Sequence, residues 1–313
     1  MPAARRAFVT ERAFLLVCLT LMGAGWGLTL PLSKIAVSEG YRHVGLIFWQ
    51  MLIGAIVMGV IQIVRGRRFA VGAPQIRVFI IIALIGTVLP NSASYEAARH
   101  LPAGLISILL SLVPLIAFPV ALALGNERFA FIRLIGLGFG LFGVLLIVGP
   151  DASLPERAMI VFVPLALIAP TFYAVEGNVV AKWGTAGLDG IDVLFGASIF
   201  GALLTLPLSL ATSTFVDPRP PWGAPDGALA LSAIVHVFVY ASYVWMVGRA
   251  GPIFAVQVSY LVTGFGVIWS MLILGEMYSI WVWAAMVLIL SGVFLVLPRT
   301  RDTLAAGPKS SKI

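Results

Sequence analysis

The chain has 313 residues, of which 60% are hydrophobic and only 11% charged. Soluble domains carry about a quarter charged residues, so a water-facing globule of this length is excluded. The net charge of +7 does not point to nucleic acid, because the cations sit in short turns between apolar runs and share no polar face. The single cysteine, Cys18, excludes an internal disulfide and a cysteine metal site.

A bilayer-spanning helix needs about 20 apolar residues. Ten runs fit this need, at 13–37, 44–64, 76–97, 102–124, 129–149, 158–181, 189–211, 226–248, 252–274 and 279–297. The first lacks a small-residue cleavage site and reads as a retained helix. It carries Trp26 and Ser33, with Lys34 a turn from its end. Lys34 either snorkels to the interface or holds a substrate carboxylate. The second run carries Gln50. The third presents Asn91, Ser94 and Tyr95 on one face just after Pro90. It ends in Glu96, Arg99 and His100, an interfacial salt bridge or an outer gate. The fourth holds Ser107 and Ser111 and is expected to break at Pro114 and Pro119.

The sixth run contains Tyr173, Glu176 and Asn178. An acid inside a membrane span is costly and faces protein or water. Glu176 is therefore a cation or proton site, or a buried acid bonded to a neighbouring helix. In the eighth run His236, Tyr240 and Tyr243 stand at i, i+4 and i+7 and form one stripe. That histidine either titrates and couples transport to protons or stays neutral on a carbonyl. The ninth run places Gln257, Tyr260 and Gly264 at i, i+3 and i+7, with Gly264 and Gly266 expected to interrupt it. Trp183, Trp222, Trp281 and Trp283 suit the membrane interfaces. Glu127 and Glu276, in turns on opposite faces, suit helix starts. The tail after residue 298 reads as disordered.

The apolar pattern occurs twice, offset by about 150 positions. Gly125 matches Gly275, Gly143 matches Gly292, and Ala93-Ser94-Tyr95 matches Ala241-Ser242-Tyr243. The second copy loses the cations of the first: Arg128 and Arg133 face Met277 and Val282, and the basic turn Arg65-Gly66-Arg67-Arg68 faces the stretch near Ser213 to Pro221. With the N-terminus inside, fifteen of the 20 lysines and arginines fall on the inner side, four on the outer, and Lys34 within a span. Each half has an odd number of spans, so the second enters from the opposite face. The expected fold is all-α, with ten transmembrane helices as two inverted five-helix repeats. Such halves form a mid-depth cavity between them.

The stretch from Trp26-Gly27 to Ser33-Lys34 resembles the first helix of EamA-type members of the drug/metabolite transporter superfamily. Leu124-Gly125-Asn126-Glu127 and Leu274-Gly275-Glu276 resemble that family's Leu-Gly-Glu signature, with Asn126 as an insertion. Gly136, Gly143 and Gly292 match the glycine-bearing helices that follow. The resemblance implies ten helices, both termini cytoplasmic, and a central cavity built mainly by helices one, three, four, six, eight and nine. It also implies transport of amino acids, nucleotide sugars or other small metabolites, often outward. The expected divisions are a cytoplasmic segment 1–12, a first repeat 13–149, an inverted second repeat 158–297, and a cytoplasmic tail 298–313.

The expected function is a secondary active or facilitative transporter of an amino acid or related amphipathic compound, in the plasma membrane. Proton-coupled efflux of organic cations is the alternative, and a non-transporting receptor or intramembrane enzyme the different class. No Walker loop, G-x-S-x-G or H-E-x-x-H is present, so no enzyme activity, cofactor or metal is expected. The expected substrate contacts are Trp26, Ser33, Asn91, Ser94, Tyr95, Ser111, Tyr173, Glu176, His236, Tyr240, Tyr243, Gln257 and Tyr260. Glu176, His236, Lys34 and Glu96 are the expected coupling or gating residues. The partners are a small solute and the bilayer, not nucleic acid; the oligomeric state is open, and a monomer is compatible.

Overall fold

The structure is a computed structural model that describes residues 2–66, 69, 71–150 and 154–296. Arg67, Arg68, Asp151 and the tail with Arg299, Arg301, Lys309 and Lys312 lie outside the described residues. Among the described residues every regular element is helical. Ten segments follow in order: α1 Pro2–Ala36, α2 His43–Arg65, α3 Ala73–His100, α4 Ala103–Leu124, α5 Phe131–Val148, α6 Arg157–Trp183, α7 Gly190–Ala211, α8 Ala224–Ala250, α9 Val258–Leu274 and α10 Ile280–Val296.

Eight of them are long and apolar enough to cross a membrane, and α9 and α10 are shorter apolar helices of 17 residues. At 1.5 Å per residue, 17 residues rise about 25 Å, near the lower limit for a span. Phe142, Leu203, Leu272 and Phe294 are all more than half exposed. Outward-facing residues of this kind belong in lipid, where exposed apolar surface carries no penalty. Buried polar side chains such as Ser198, Thr205, Thr263 and Ser270 lie between helices instead.

The helix contacts come in matched pairs. α1 packs on α8 and α9, and its counterpart α6 packs on α3 and α4. α2 packs on α7 and α8, while α7 packs on α2 and α3. α4 meets α9, and α5 meets α10. Exchanging the two halves maps this set onto itself, which is the signature of the inverted duplication. One end of the bundle gathers Lys34, Arg99 and Glu276; the other gathers Arg65, Lys182 and Asp189.

Small residues let the matched pairs approach. A Cβ on Gly136 of α5 would stand 2.6 Å from the Gly292 carbonyl of α10, and one on Gly27 of α1 would stand 2.8 Å from the Gly266 amide of α9. Gly125 and Gly275 end α4 and α9 alike, with φ of 72° and 67°. This left-handed region strains any residue that carries a Cβ.

Three helices are irregular. α3 contains a π-helical turn, Ile82–Val88, just before Pro90. α4 breaks at Ser111–Leu112, and Pro114 takes the second position of the resumed helix Val113–Leu124, where its missing N–H costs nothing. Pro119 and Pro31, by contrast, lie inside continuous helices. The interruption expected at Gly264 and Gly266 is not there, because α9 runs unbroken through both. The break precedes α9, at Val256–Gln257, after a short helix Pro252–Ala255. Gly266 is a packing residue: a Cβ there would collide with the Ser107 hydroxyl of α4.

Candidate functional site

Between the two halves lies a cavity of about 540 Å³. This is the size range of small-ligand sites. Its wall comes from α1, α3, α4, α6, α8 and the start of α9, as expected, and also from Gln50 of α2 and Val193 and Leu194 of α7. α5 and α10 contribute nothing to it. Eleven of the thirteen expected contacts meet here: Trp26, Ser33, Asn91, Ser94, Tyr95, Ser111, Tyr173, Glu176, His236, Tyr240 and Tyr243.

Gln257 and Tyr260 are not on the wall. Val258, Ser259, Val262 and Thr263 face inward instead. Gln257 is exposed, and Tyr260 packs against the main apolar core. Lys34 and Glu96 also lie away from this cavity. The Lys34 ammonium donates to the Leu101 carbonyl at 2.9 Å, beside a second recess that it shares with Arg99 and Glu276. Glu96 pairs with Arg99 at 3.5 Å and faces His100 at 3.6 Å and His43 at 3.8 Å.

One end of the cavity is aromatic. The Trp26 ring lies 5.6 Å from Tyr243 and 6.1 Å from His236, and His236 stacks on Tyr240 at 6.5 Å. Helical spacing on α8 delivers all three partners to the face opposite α1. The other end is polar. The Tyr173 hydroxyl donates to Asn91 Oδ1 at 2.9 Å, Asn91 Nδ2 donates to Gln50 Oε1 at 3.0 Å, and the Tyr95 hydroxyl donates to the same oxygen at 3.2 Å. Ser33 and Ser111 donate to carbonyls of their own helices, Thr29 at 2.7 Å and Ile108 at 2.6 Å, so their hydroxyls are left as acceptors.

Glu176 occupies the space left by the missing side chain of Gly86, in the π-helical turn of α3. Gly86 and Thr87 line the cavity and were not among the expected residues; Pro90, one turn on, was the available signal. Among the described wall residues there is one carboxylate, one imidazole and no lysine or arginine. The charge of Glu176 therefore has no cationic side chain beside it in the cavity. Aromatic faces and an acid together suit a solute that carries a cationic nitrogen. Among the described residues no cluster of His, Cys, Asp or Glu suits a metal ion.

Both ends of the bundle are fastened, and differently. At the Lys34 end the Glu276 carboxylate accepts from the backbone N–H groups of Ala103 at 2.7 Å and Gly104 at 3.1 Å, and also from the Tyr278 hydroxyl. Glu276 thus caps the start of α4, not of α10, the helix that follows it in the chain. Burial first, and then Glu276, pushes the Tyr278 phenol above its usual range, which keeps it a donor. The matching Glu127 pairs instead with Arg133 at 3.1 Å. Asn126, the inserted residue, donates to Asn178 O at 3.0 Å and ties α4 to α6. At this same end Arg65 bonds Asp189 at 2.5 Å, and Asp189 caps α7 through the N–H groups of Ile191 and Asp192.

Comparison with known proteins agrees with this architecture. Residues 13–149 and 161–297 each match the EamA-like transporter family. The chain is 24% identical over 302 residues to the uncharacterized transporter YvbV of Bacillus subtilis (strain 168), covering 95% of both chains. A solved crystal structure shares the fold with a TM-score of 0.59 at 18% identity, over 92% of this chain and 96% of that one.

Proposed function

The chain belongs to the EamA-like transporter family, and from that premise we propose that it moves a small amphipathic metabolite, an amino acid or a related compound, by alternating access. The carrying observation is the polar-aromatic cavity of about 540 Å³ enclosed between the inverted halves. Rocking one half on the other exposes such a chamber to each side in turn. The lysine and arginine census supports cytoplasmic termini in a plasma membrane, which puts Lys34 and Glu276 on the outer side. Outward movement follows the habit of the family. No catalytic step belongs to this reading.

A second reading, efflux of organic cations in exchange for protons, is favoured by one specific observation: Glu176 stands on a wall that holds no lysine or arginine among the described residues. A buried carboxylate of this kind wants either a proton or a cationic solute as its partner. Both readings are tested with purified protein in proteoliposomes. Transport predicts solute-dependent flux that Trp26→Ala lowers about tenfold or more, given the contact area an indole supplies. An imposed pH gradient accelerates flux only in the exchange reading, and Glu176→Gln then abolishes that acceleration. Flux that ignores Trp26, or no flux for any amine or amino acid, rejects the cavity as the pathway.

A further inference from the structure

We propose that a groove between α2, α8 and the connection 212–223 binds phosphatidylethanolamine, with the lipid ammonium at its mouth and one acyl chain running inward. The groove has a volume of about 300 Å³ and shares no lining residue with the central cavity. It lies at the end of the bundle where α2 and α8 begin, a junction tied by the Tyr41 hydroxyl, which donates to Asp226 at 2.9 Å. Trp49 of α2 and Trp222 of the connection both line it. Their N–H groups are already used: Trp49 Nε1 donates to the Val216 carbonyl at 2.9 Å, and Trp222 Nε1 to the Pro218 carbonyl at 2.8 Å. What the two indoles have left to offer a ligand is ring surface, and a ring face attracts an ammonium.

The groove is acidic at its mouth and apolar along its floor. Glu39, from the α1–α2 turn, and Asp226, in the first turn of α8, converge on Gly223: a Cβ there would lie 3.5 Å from Glu39 Oε2 and 3.8 Å from Asp226 Oδ2. The donors to Asp226, the Tyr41 hydroxyl and the Gly223 N–H at 2.8 Å, are neutral and leave its charge uncancelled. Among the described residues neither acid forms an ion pair, and Arg219, the cation of the connection, is held by Asp217. Inward from the mouth, Trp49 and Ile53 lie about 9 and 15 Å along α2 from its start. Past Ile53, Ile56 and Val60 continue the same face at i+3 and i+7. Past Ala230, Ile234 and Phe238 continue the α8 face at i+4 and i+8, and all four are exposed apolar residues. Acids at headgroup depth above an apolar floor that opens on hydrocarbon follow the order of parts in a phospholipid with a primary ammonium. An anionic phospholipid would bring its charge against two carboxylates, and a soluble amine would leave the floor unfilled.

The test titrates the purified full chain in detergent with dioleoyl phosphatidylethanolamine and dioleoyl phosphatidylglycerol, which differ only in headgroup, and reads the thermal shift. Phosphatidylethanolamine is expected to half-saturate the shift at about tenfold lower concentration, the worth of an ammonium on an aromatic face with a charged hydrogen bond. Glu39→Gln should cut that ratio about threefold, as loss of one exposed charge does. Trp222→Ala, at a largely exposed position, should cut it likewise and leave the lipid-free melting temperature unchanged. A dibromostearoyl chain carried on phosphatidylethanolamine should quench tryptophan emission more than the same chain on phosphatidylglycerol. That difference should shrink in Glu39→Gln, which keeps all eight tryptophans. Equal binding of the two lipids by wild type, or a ratio that survives both Glu39→Gln and Trp222→Ala, overturns the proposal. A dimer that Trp222→Ala dissociates overturns it too, because a second copy then covers the groove. None of these readouts depends on solute transport through the central cavity.

Discussion

Gly86 has no side chain, and the Glu176 carboxylate fills the space this leaves. A methyl group there meets the far end of a flexible acid, not backbone, so the acid is expected to move and the helix to survive. Gly86→Ala should change the melting temperature little while weakening amine binding about tenfold; unchanged binding would show that Glu176 need not sit where it does. Asp189 gives a second residue-scale prediction. Burial pushes its carboxyl up, but the Arg65 bond and the N–H groups of Asp192 and Ile191 bring it below the ordinary carboxylate range. A lowered folded value means stabilisation that is present above the unfolded carboxyl value and lost as pH falls through the folded one. Asp189→Ala should cost about 1–2 kcal/mol near neutral pH through loss of the cap, and the wild-type and variant melting curves should converge in strong acid. Residues at this scale were legible where spacing within one intact helix decides the face, as for His236, Tyr240 and Tyr243. Gln257 and Tyr260 lie off the cavity wall, because Val258, Ser259, Val262 and Thr263 take the inward face of α9, and the polarity of a side chain does not tell which face turns inward.

Glycine-bearing pairs decide the packing of whole elements. α5 and α10 meet where Gly136 and Gly292 bring backbones together, and neither helix touches the cavity. A Cβ on Gly292 would lie 2.5 Å from the Gly136 carbonyl and 3.2 Å from the Gly140 amide, both backbone atoms that cannot swing aside. Gly292→Val should therefore lower stability by about 3 kcal/mol, seen as a reduced melting temperature in detergent, while the cavity lining stays intact. A variant that melts like wild type would mean the seam has slack. The sequence shows such glycines without showing their use. Gly264 and Gly266 read as interruptions, yet a glycine without a neighbouring proline leaves the backbone ladder whole, and Gly266 makes room for α4 and α1. The π-helical turn of α3, where Gly86 stands against Glu176, likewise carries no periodic signature.

At the scale of the molecule, the duplication was legible because it is written over half the chain: matched glycines at the ends of α4 and α9, matched apolar runs, and Arg128 and Arg133 of the first copy facing Met277 and Val282 of the second. The cavity followed from that symmetry, but its exact wall did not, since Gln50 of α2 and Val193 and Leu194 of α7 also reach it. The symmetry is not complete. Glu276 grips the first turn of α4, whereas Glu127, its counterpart, holds Arg133 on the helix that follows it. Glu276→Ala should raise labelling of a cysteine placed at Ser111, in a Cys18→Ser background, by an impermeant thiol reagent added from the Lys34 side; labelling at the wild-type rate would exclude any restraining part for Glu276. The two halves thus carry the same Gly-Glu turn and use its acid differently, across the halves at the Lys34 end and within one half at the other. Were the halves to part at the Lys34 end, Glu276 would leave two backbone N–H groups of α4 unpaired, a cost that Glu127, held within one half, does not add.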